Sequence, residues 1–385
     1  MVKKYCTLLL ILLSISSGHT NDLSIWMGSM NIENQHFTGQ VLAKLLRPSL
    51  LKFPGKENIT KQYEVWQNAK LLPDVLVFAC QECKPNKEFR FANSILGQKW
   101  LLGKIYKELD SNKTTGVTKI DQGISHIYVG VMVKRRKYKH FSKVKDYTSR
   151  RNSAKLKGAV FVQFKYKGIK YSFGSAHLDA SSEKARNADI AMIHKTLSKN
   201  SPDVVALMGD FNYRITKDLS DKKKNSPDYL IEKLQAASNI HEGLKHRDSL
   251  FIQLSSNSLT GFKKWGFDIP EYTFSTLPTY KKSYKTDKDN SNCITLAFNK
   301  KIKRSWNGCY FRKGPPKEKS CLGTKCIDFG WLDRLATKGV FAKTLLAGKL
   351  SHGKKYLRLV KYGDAPLVTL GDHSAIWAQF ESISK

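Results

Sequence analysis

Asp210 and Asn212 stand two residues apart just beyond a continuous apolar run, Val204 to Met208, in the stretch PDVVALMGDFNYRI. Such a run reads as a strand buried on both faces. At strand spacing, positions two apart point the same way, so a carboxylate and an amide would emerge side by side from a rigid strand end. The carboxylate can bind a metal ion or orient a water, and the amide can donate a hydrogen bond to a phosphate oxygen. Taken alone, Gly209-Asp210-Phe211-Asn212 reads first as a plain turn, because Gly, Asp and Asn end strands everywhere. Other expected strand ends carry the same kinds of group: Asn31, Glu82, His177, Asp333, and Asp372 with His373. A sandwich of sheets with one catalytic rim would deliver polar groups in this way.

The elements that must position these groups follow from the pattern. Leu23 to Ile32 reads as a first strand. Pro73 to Phe78 reads as a buried second strand that ends in Ala79-Cys80-Gln81-Glu82. His126 to Val133 is a third, followed by the basic run Lys134, Arg135, Arg136, Lys137 and Lys139. Gly158 to Phe164 and Ile169 to Leu178 form a hairpin pattern around Lys165-Tyr166-Lys167-Gly168. Glu183 to Leu197 is the clearest helix: Ala185, Ala188, Ile190, Met192, Ile193 and Leu197 trace an apolar face, and Ser181 or Ser182 can cap it. Helices are also expected at Thr38 to Leu46 and Tyr229 to Ala237. Strand segments are expected at Cys293 to Phe298, Ile327 to Leu335, Tyr356 to Tyr362 and Ser374 to Phe380. Residues 285–325, rich in Lys, Asn and Ser, read as an insertion. The pattern predicts a single α/β (α+β) catalytic domain over residues 21–385, a two-sheet β-sandwich flanked by helices.

Composition narrows the setting. Lys and Arg number 66 against 32 for Asp and Glu, a formal net charge of +34, and 41% of residues are hydrophobic. The chain can therefore bury a real core, and its basic excess suits an anionic partner. Residues 1–20 read as a signal peptide: Lys3 and Lys4 precede an apolar stretch, Leu8 to Leu13, too short to span a bilayer, and small residues follow. The expected product is an exported protein. Removing Cys6 with the signal leaves Cys80, Cys83, Cys293, Cys309, Cys321 and Cys326. An even count in an exported chain permits up to three disulfides in about 15 connectivities. Cys80 and Cys83 also have the spacing of a redox or zinc site, without a matching pair downstream.

The order of NxxN, QE, a xHL strand end, GDFN, WxDR and a terminal GDH resembles the endonuclease/exonuclease/phosphatase superfamily over essentially the whole mature chain. Among its branches the inositol polyphosphate 5-phosphatases are the most similar. Gly209 to Ile215 reads GDFNYRI, as their first signature does. Gly330 to Leu335, Pro278-Thr279-Tyr280-Lys281 and Lys157-Gly158-Ala159-Val160 resemble further segments of theirs. Gly28 to Asn34 is a looser version of another.

The resemblance implies a deoxyribonuclease I-like fold and a Mg²⁺-dependent phosphatase. It implies that Glu82 holds the metal, assisted by Asn31, with Asp372 nearby. His373 would be the general base or the partner of the scissile phosphate, oriented by Asp333. Asp210 would position the attacking water, Asn212 would donate to a phosphate oxygen, and His177 would stabilise charge on the phosphoryl group. Tyr280, Lys281 and Lys325 look like the grip on a neighbouring ring phosphate, with Lys157 and Arg334 as further phosphate contacts. The sequence departs from the branch at Leu332, where a cysteine is usual, at Gly371 and Ile327, and at Asp179-Ala180-Ser181, where a second histidine is usual.

The implied substrate is a phosphoinositide lipid or a soluble inositol polyphosphate, met by a monomer, with an anionic membrane surface as a peripheral partner and delivery into a host as the natural use of an exported enzyme. A secreted deoxyribonuclease-like nuclease acting on nucleic acid, a sphingomyelinase-type phosphodiesterase and a non-catalytic membrane-binding relative are the alternatives. Tyr213-Arg214 and Pro278 to Lys281 favour the phosphatase, since a nuclease needs no pocket for a ring phosphate. Trp265 and Phe267, beside Lys263 and Lys264, form either a bilayer-inserting loop or a covered one.

Overall fold

The computed structural model describes residues 23–32, 73–83, 106–109, 117–122, 125–151, 157–216, 245–256, 259–270, 332–341, 356–365, 373 and 375–383. The signal sequence, the helices expected at Thr38 to Leu46 and Tyr229 to Ala237, the strand at Cys293 to Phe298 and the insertion lie outside the described residues. Asp372, Tyr280, Lys281 and Lys325 do too.

The described strands form two sheets. In the first, β1 (Ser24–Asn31) lies between β13 (Ala375–Ser382), to which it is antiparallel, and β2 (Val75–Cys83), to which it is parallel. The sheet continues from β2 to β5 (Ser125–Lys134), which pairs with β3 (Tyr106–Glu108) and β4 (Val117–Gln122). On the other side β12 (Leu357–Ala365) and β11 (Val340–Phe341) extend it beyond β13. The second sheet runs in the order β10 (Asp333–Lys338), β9 (Val204–Asp210), β8 (Ile169–His177), β7 (Gly158–Tyr166) and β6 (Phe141–Ser149).

The two sheets close on a shared apolar core. Alternate residues of β2 (Val75, Val77, Ala79) and β5 (Val129, Val131, Val133) meet Val160, Val162 and Phe164 of β7 and Val204, Ala206 and Met208 of β9. The period of two thus puts one face of each strand inside. The opposite face of the second sheet is apolar as well, which is why Val204 to Met208 has no polar gaps. Val205 and Leu207 pack with Phe161 and Ala159 under a helical layer. That layer contains α1 (Glu183–Asn200), α2 (Ser249–Ser255) and α3 (Gly261–Lys264).

Ser182 caps α1 through its side chain, accepting from Ala185 N, and Ser201 ends the helix in a left-handed conformation. Ser181 instead bonds Asp179. The buried face of α1 is Arg186, Asp189, Ile190, Ile193 and Leu197. Ala185, Ala188 and Met192 are only half-buried, so the helix sits rotated from its purely apolar stripe to bring two charged residues inward. Phe267 is buried in the helical layer and Trp265 stacks on His194 with ring centroids 4.4 Å apart. Phe267 is therefore unavailable to a bilayer, while Trp265 is half-buried and Lys264 and Gly266 are exposed.

The basic run after β5 starts with a buried residue. Lys134 is 3% exposed and its Nζ lies 3.4 Å from Asp74 Oδ1, while Lys137 Nζ donates to Asp74 Oδ2 at 2.7 Å. Asp74 also accepts from Ser24 N and Oγ at 3.2 Å. Burial alone would raise the Asp74 pKa, but the bonds from Lys137 and Ser24 and the two lysine charges outweigh it and hold the carboxyl below its usual value. A depressed carboxylate stabilises the fold above its unfolded pKa, near 4, and the contribution is lost as pH falls through the folded value. Asp74→Asn is therefore expected to melt below the parent at pH 7, by about 3 kcal/mol of stability. Thermal unfolding at a series of pH values should show the two proteins converging below about pH 4.

Candidate active site

The register of both sheets brings the polar strand ends to one rim. In the second sheet Gly158 pairs with His177, His177 with Asp210, and Asp210 with Asp333, so the starts of β7 and β10 and the ends of β8 and β9 form one row. In the first sheet Asn31 pairs with Gln81 across the parallel β1–β2 ladder, and His373 lies two residues before β13. Gly209 makes the close approach possible. Its φ is +152°, and a Cβ there would collide with the Ala176 carbonyl oxygen.

Asp210 is the centre of the cluster and is 2% exposed. Its Oδ2 accepts from Asn31 Nδ2 at 3.1 Å and lies 3.4 Å from His177 Nε2. His373 Nε2 is 3.9 Å from the same oxygen, too far for a direct hydrogen bond. Asp333 Oδ2 is 2.8 Å from His373 Nδ1 and fixes that imidazole. Burial pushes the Asp210 pKa up, yet the hydrogen bond and charge of His177, with the charges of His373 and Lys157, outweigh burial and hold the carboxyl well below the ordinary range. Lys157 Nζ contacts His177 Nε2 directly. Burial lowers the Lys157 pKa, against the pull of Asp210 and Glu82.

Asn212 reaches the cluster by a route other than strand alternation. β9 ends at Asp210, and Asn212 follows with φ +55°. Its backbone N–H folds back onto Asp210 Oδ1 at 2.9 Å, a turn in which the preceding carboxylate takes part. One hydrogen of its side-chain amide goes to Leu178 O at 2.8 Å, which ties the turn to the end of β8.

Glu82 has the most open carboxylate of the group, 29% exposed, with Oε1 3.6 Å from His177 Nε2. It stands one residue past the Asn31–Gln81 pair. A carboxylate and an amide oxygen are hard donors, suited to Mg²⁺ or Ca²⁺, which take oxygen ligands and keep several waters. Among the described residues no group of three or more His, Cys, Asp or Glu side chains is placed to hold a metal ion, and the fit to such a cation rests on the Glu82 carboxylate and the Asn31 amide oxygen alone. Glu82 and Asn31 are the residues that would hold it.

One expected site residue needs correction. Arg334 is no phosphate contact. Strand alternation turns it to the side of β10 opposite Asp333, and its fully buried guanidinium pairs with Asp248 Oδ2. Asp248 in turn caps α2, accepting from Leu250 N and Phe251 N at 3.0 Å. Cys80 and Cys83 are joined in a disulfide, as the even cysteine count permits, which leaves no zinc half-site there.

Other residues act on the site without having stood out. Gln81 is fully buried and donates from Nε2 to Ser29 Oγ at 3.1 Å and to Ser175 Oγ at 2.8 Å, fastening the two sheets just below the rim. Its place in the Gln-Glu pair was the available signal. The position of the missing second histidine is taken by an ion-pair knot: Arg151 reaches Asp179 at 3.0 Å and Asp189 at 2.5 Å, and Asp189 accepts from Asp179 N at 2.9 Å. Tyr213, central to the signature GDFNYRI, is fully buried, donates to Gln253 Oε1 at 3.0 Å and lies under the Arg186 guanidinium. Its contribution is architectural.

The model of endonuclease/exonuclease/phosphatase family 2 matches residues 28–295. Among solved structures the chain is similar to the inositol polyphosphate 5-phosphatase domain of SpSynaptojanin, solved with inositol (1,4)-bisphosphate and calcium. The TM-score is 0.59 and the identity 20%, over 98% of this chain and 89% of that one. It is also similar to a Cimex nitrophorin in its ferrous NO complex, at TM-score 0.52 and 14% identity, over 94% of this chain and 99% of that one. At these identities the likeness shows the deoxyribonuclease I-like fold. No curated protein sequence matches significantly. The family model covers well over half of the sequence and includes Glu82, His177 and Asp210 at the rim, so the chain belongs to the endonuclease/exonuclease/phosphatase family.

Proposed function

We propose that the protein hydrolyses the 5-phosphate of a phosphoinositide or of a soluble inositol polyphosphate in a Mg²⁺-dependent reaction. The observation that carries the reading is the convergence of Asp210, His177, His373–Asp333 and Lys157 with the open Glu82 carboxylate at one rim. The choice of branch is supported by GDFNYRI, by Pro278 to Lys281 and by the inositol bisphosphate bound to the similar synaptojanin domain.

Phosphoryl transfer needs positioning and charge neutralisation more than covalent chemistry. Glu82 and Asn31 would hold a divalent cation, which would supply part of that neutralisation. Asp210, kept ionised by its cationic neighbours, accepts a hydrogen bond from the attacking water and aims it. His373, held by Asp333 through Nδ1, presents Nε2 to the same water or to a phosphate oxygen. His177 and Lys157 offer positive charge to the oxygens of the phosphoryl group. Asn212 holds Asp210 in orientation through its backbone N–H.

The mature protein, incubated with Mg²⁺ and a panel of 5-phosphorylated lipids, soluble inositol phosphates and DNA, is expected to release inorganic phosphate from the 5-phosphorylated compounds. Release should stop with chelator and in Asp210→Ala. DNA cleavage without phosphate release would overturn the reading in favour of the nuclease. Export through residues 1–20 and action on a host's membranes complete the proposal. Recovery of active protein only from culture medium, never from a host compartment, would count against the second half.

A further inference from the structure

We propose that the Cys80–Cys83 disulfide is the element that positions the Glu82 carboxylate for cation binding, so that the site reaches full cation affinity only with this bridge closed. The inference rests on Glu82 being the cation ligand.

The direction of the side chains along β2 carries it. Val75, Val77 and Ala79 point into the core between the sheets, and Gln81 continues that face by bonding Ser175 of β8. In an uninterrupted strand the next residue, Glu82, would point to the outer face, away from His177. β2 is interrupted there. Cys80 pairs with Tyr128 and Cys83 with His126, so three steps along β2 match two along β5. One residue is extra, which makes a bulge. Glu82 sits in it at φ +52°, a left-handed conformation that costs free energy for any residue with a Cβ. That turn brings its Oε1 to 3.6 Å from His177 Nε2.

The same bulge puts the two cysteines on one face. In a regular strand residues three apart lie on opposite faces and cannot be bridged. Here Cys80 and Cys83 pair with backbone positions 128 and 126, two apart on β5, so the two cysteines share a face, with Cα atoms 6.1 Å apart. Bridge and bulge are thus a single conformational event, and closing the bond favours the backbone that aims Glu82. Both cysteines are buried, at 1% and 0% exposure. The bond is therefore internal to the folded site. Such a bond persists in oxidising compartments, which agrees with the expectation of export and would leave the enzyme weak in a reducing cytosol.

The test compares the parent with Cys80→Ala/Cys83→Ala and with Glu82→Gln, titrating each with Mg²⁺ by calorimetry in the absence of substrate and melting each without metal. The bridgeless variant is expected to keep its metal-free melting transition and to bind Mg²⁺ about tenfold or more weakly. Adding Glu82→Gln to it should have little further effect, because the two changes act through one ligand. If the bridgeless variant does not fold, the parent is reduced and alkylation of both cysteines verified by mass. Affinity should fall in the reduced protein and return on reoxidation before alkylation. An Mg²⁺ affinity within twofold of the parent in the bridgeless or reduced protein, while Glu82→Gln binds weakly, overturns the proposal and leaves the Glu82 ligand standing. Unchanged affinity in Glu82→Gln overturns the ligand assignment and the proposal with it.

Discussion

His373→Ala is expected to lower kcat for phosphate release by about 10³-fold, within the span usual for loss of a positioned acid–base group. KM should change little. Asp333 Oδ2 holds the imidazole through Nδ1 at 2.8 Å, and Nε2 faces Asp210 Oδ2 across 3.9 Å, beyond direct hydrogen-bond reach. Asp333→Asn should approach the same loss. An amide can donate where the carboxylate only accepts, so the ring would settle in the tautomer that turns its proton the wrong way. Steady-state kinetics of both variants on one 5-phosphorylated substrate, with melting curves alongside, separate the effect from unfolding. Retention of activity within tenfold in His373→Ala would remove this histidine from the chemical step.

Arg334→Met should do the reverse, damaging the fold and sparing catalysis in the protein that survives. The guanidinium is fully buried against Asp248, itself fully buried. Burial pushes the Asp248 pKa up, against the Arg334 charge and the backbone N–H groups of α2. Removing the arginine leaves a carboxylate underground with only those N–H partners, and breaking such a pair from one side costs about 3–5 kcal/mol. Denaturant unfolding should register that loss with KM unchanged. The double variant Arg334→Met/Asp248→Leu should lose less than the two single changes combined. A raised KM with an unchanged unfolding midpoint would instead return Arg334 to the substrate.

The contrast between these neighbours shows where the sequence is legible. The strands and the polar groups at their ends can be read because both are local: an apolar run such as Val204 to Met208 ends in Asp210, and Ile169 to Leu178 carries His177. Which charge meets which is a long-range matter. Arg334 and Asp248 are 86 residues apart, so the sequence alone makes a motif arginine look like a phosphate ligand. Asn212 joins Asp210, but not by strand alternation. Residues two apart share a face only while the strand continues, and this strand stops at Asp210. Glu82 reaches the rim through the opposite irregularity, a strand that continues past a bulge.

The middle of the first sheet is sewn from the two extremes of the described chain. β1 pairs with β13, and Leu23 N donates to Ser382 Oγ across 359 positions of sequence. Closing so long a loop is among the slow events of folding, because its entropy is lost before its contacts form. Asn31 rides on one of these strands and His373 just ahead of the other, so the rim cannot be complete before that last ladder docks. A chain still being synthesised, or one stopped before His373, carries an open edge beside β1 and a rim that lacks that histidine. In this architecture the rim is complete only once β13 has joined β1.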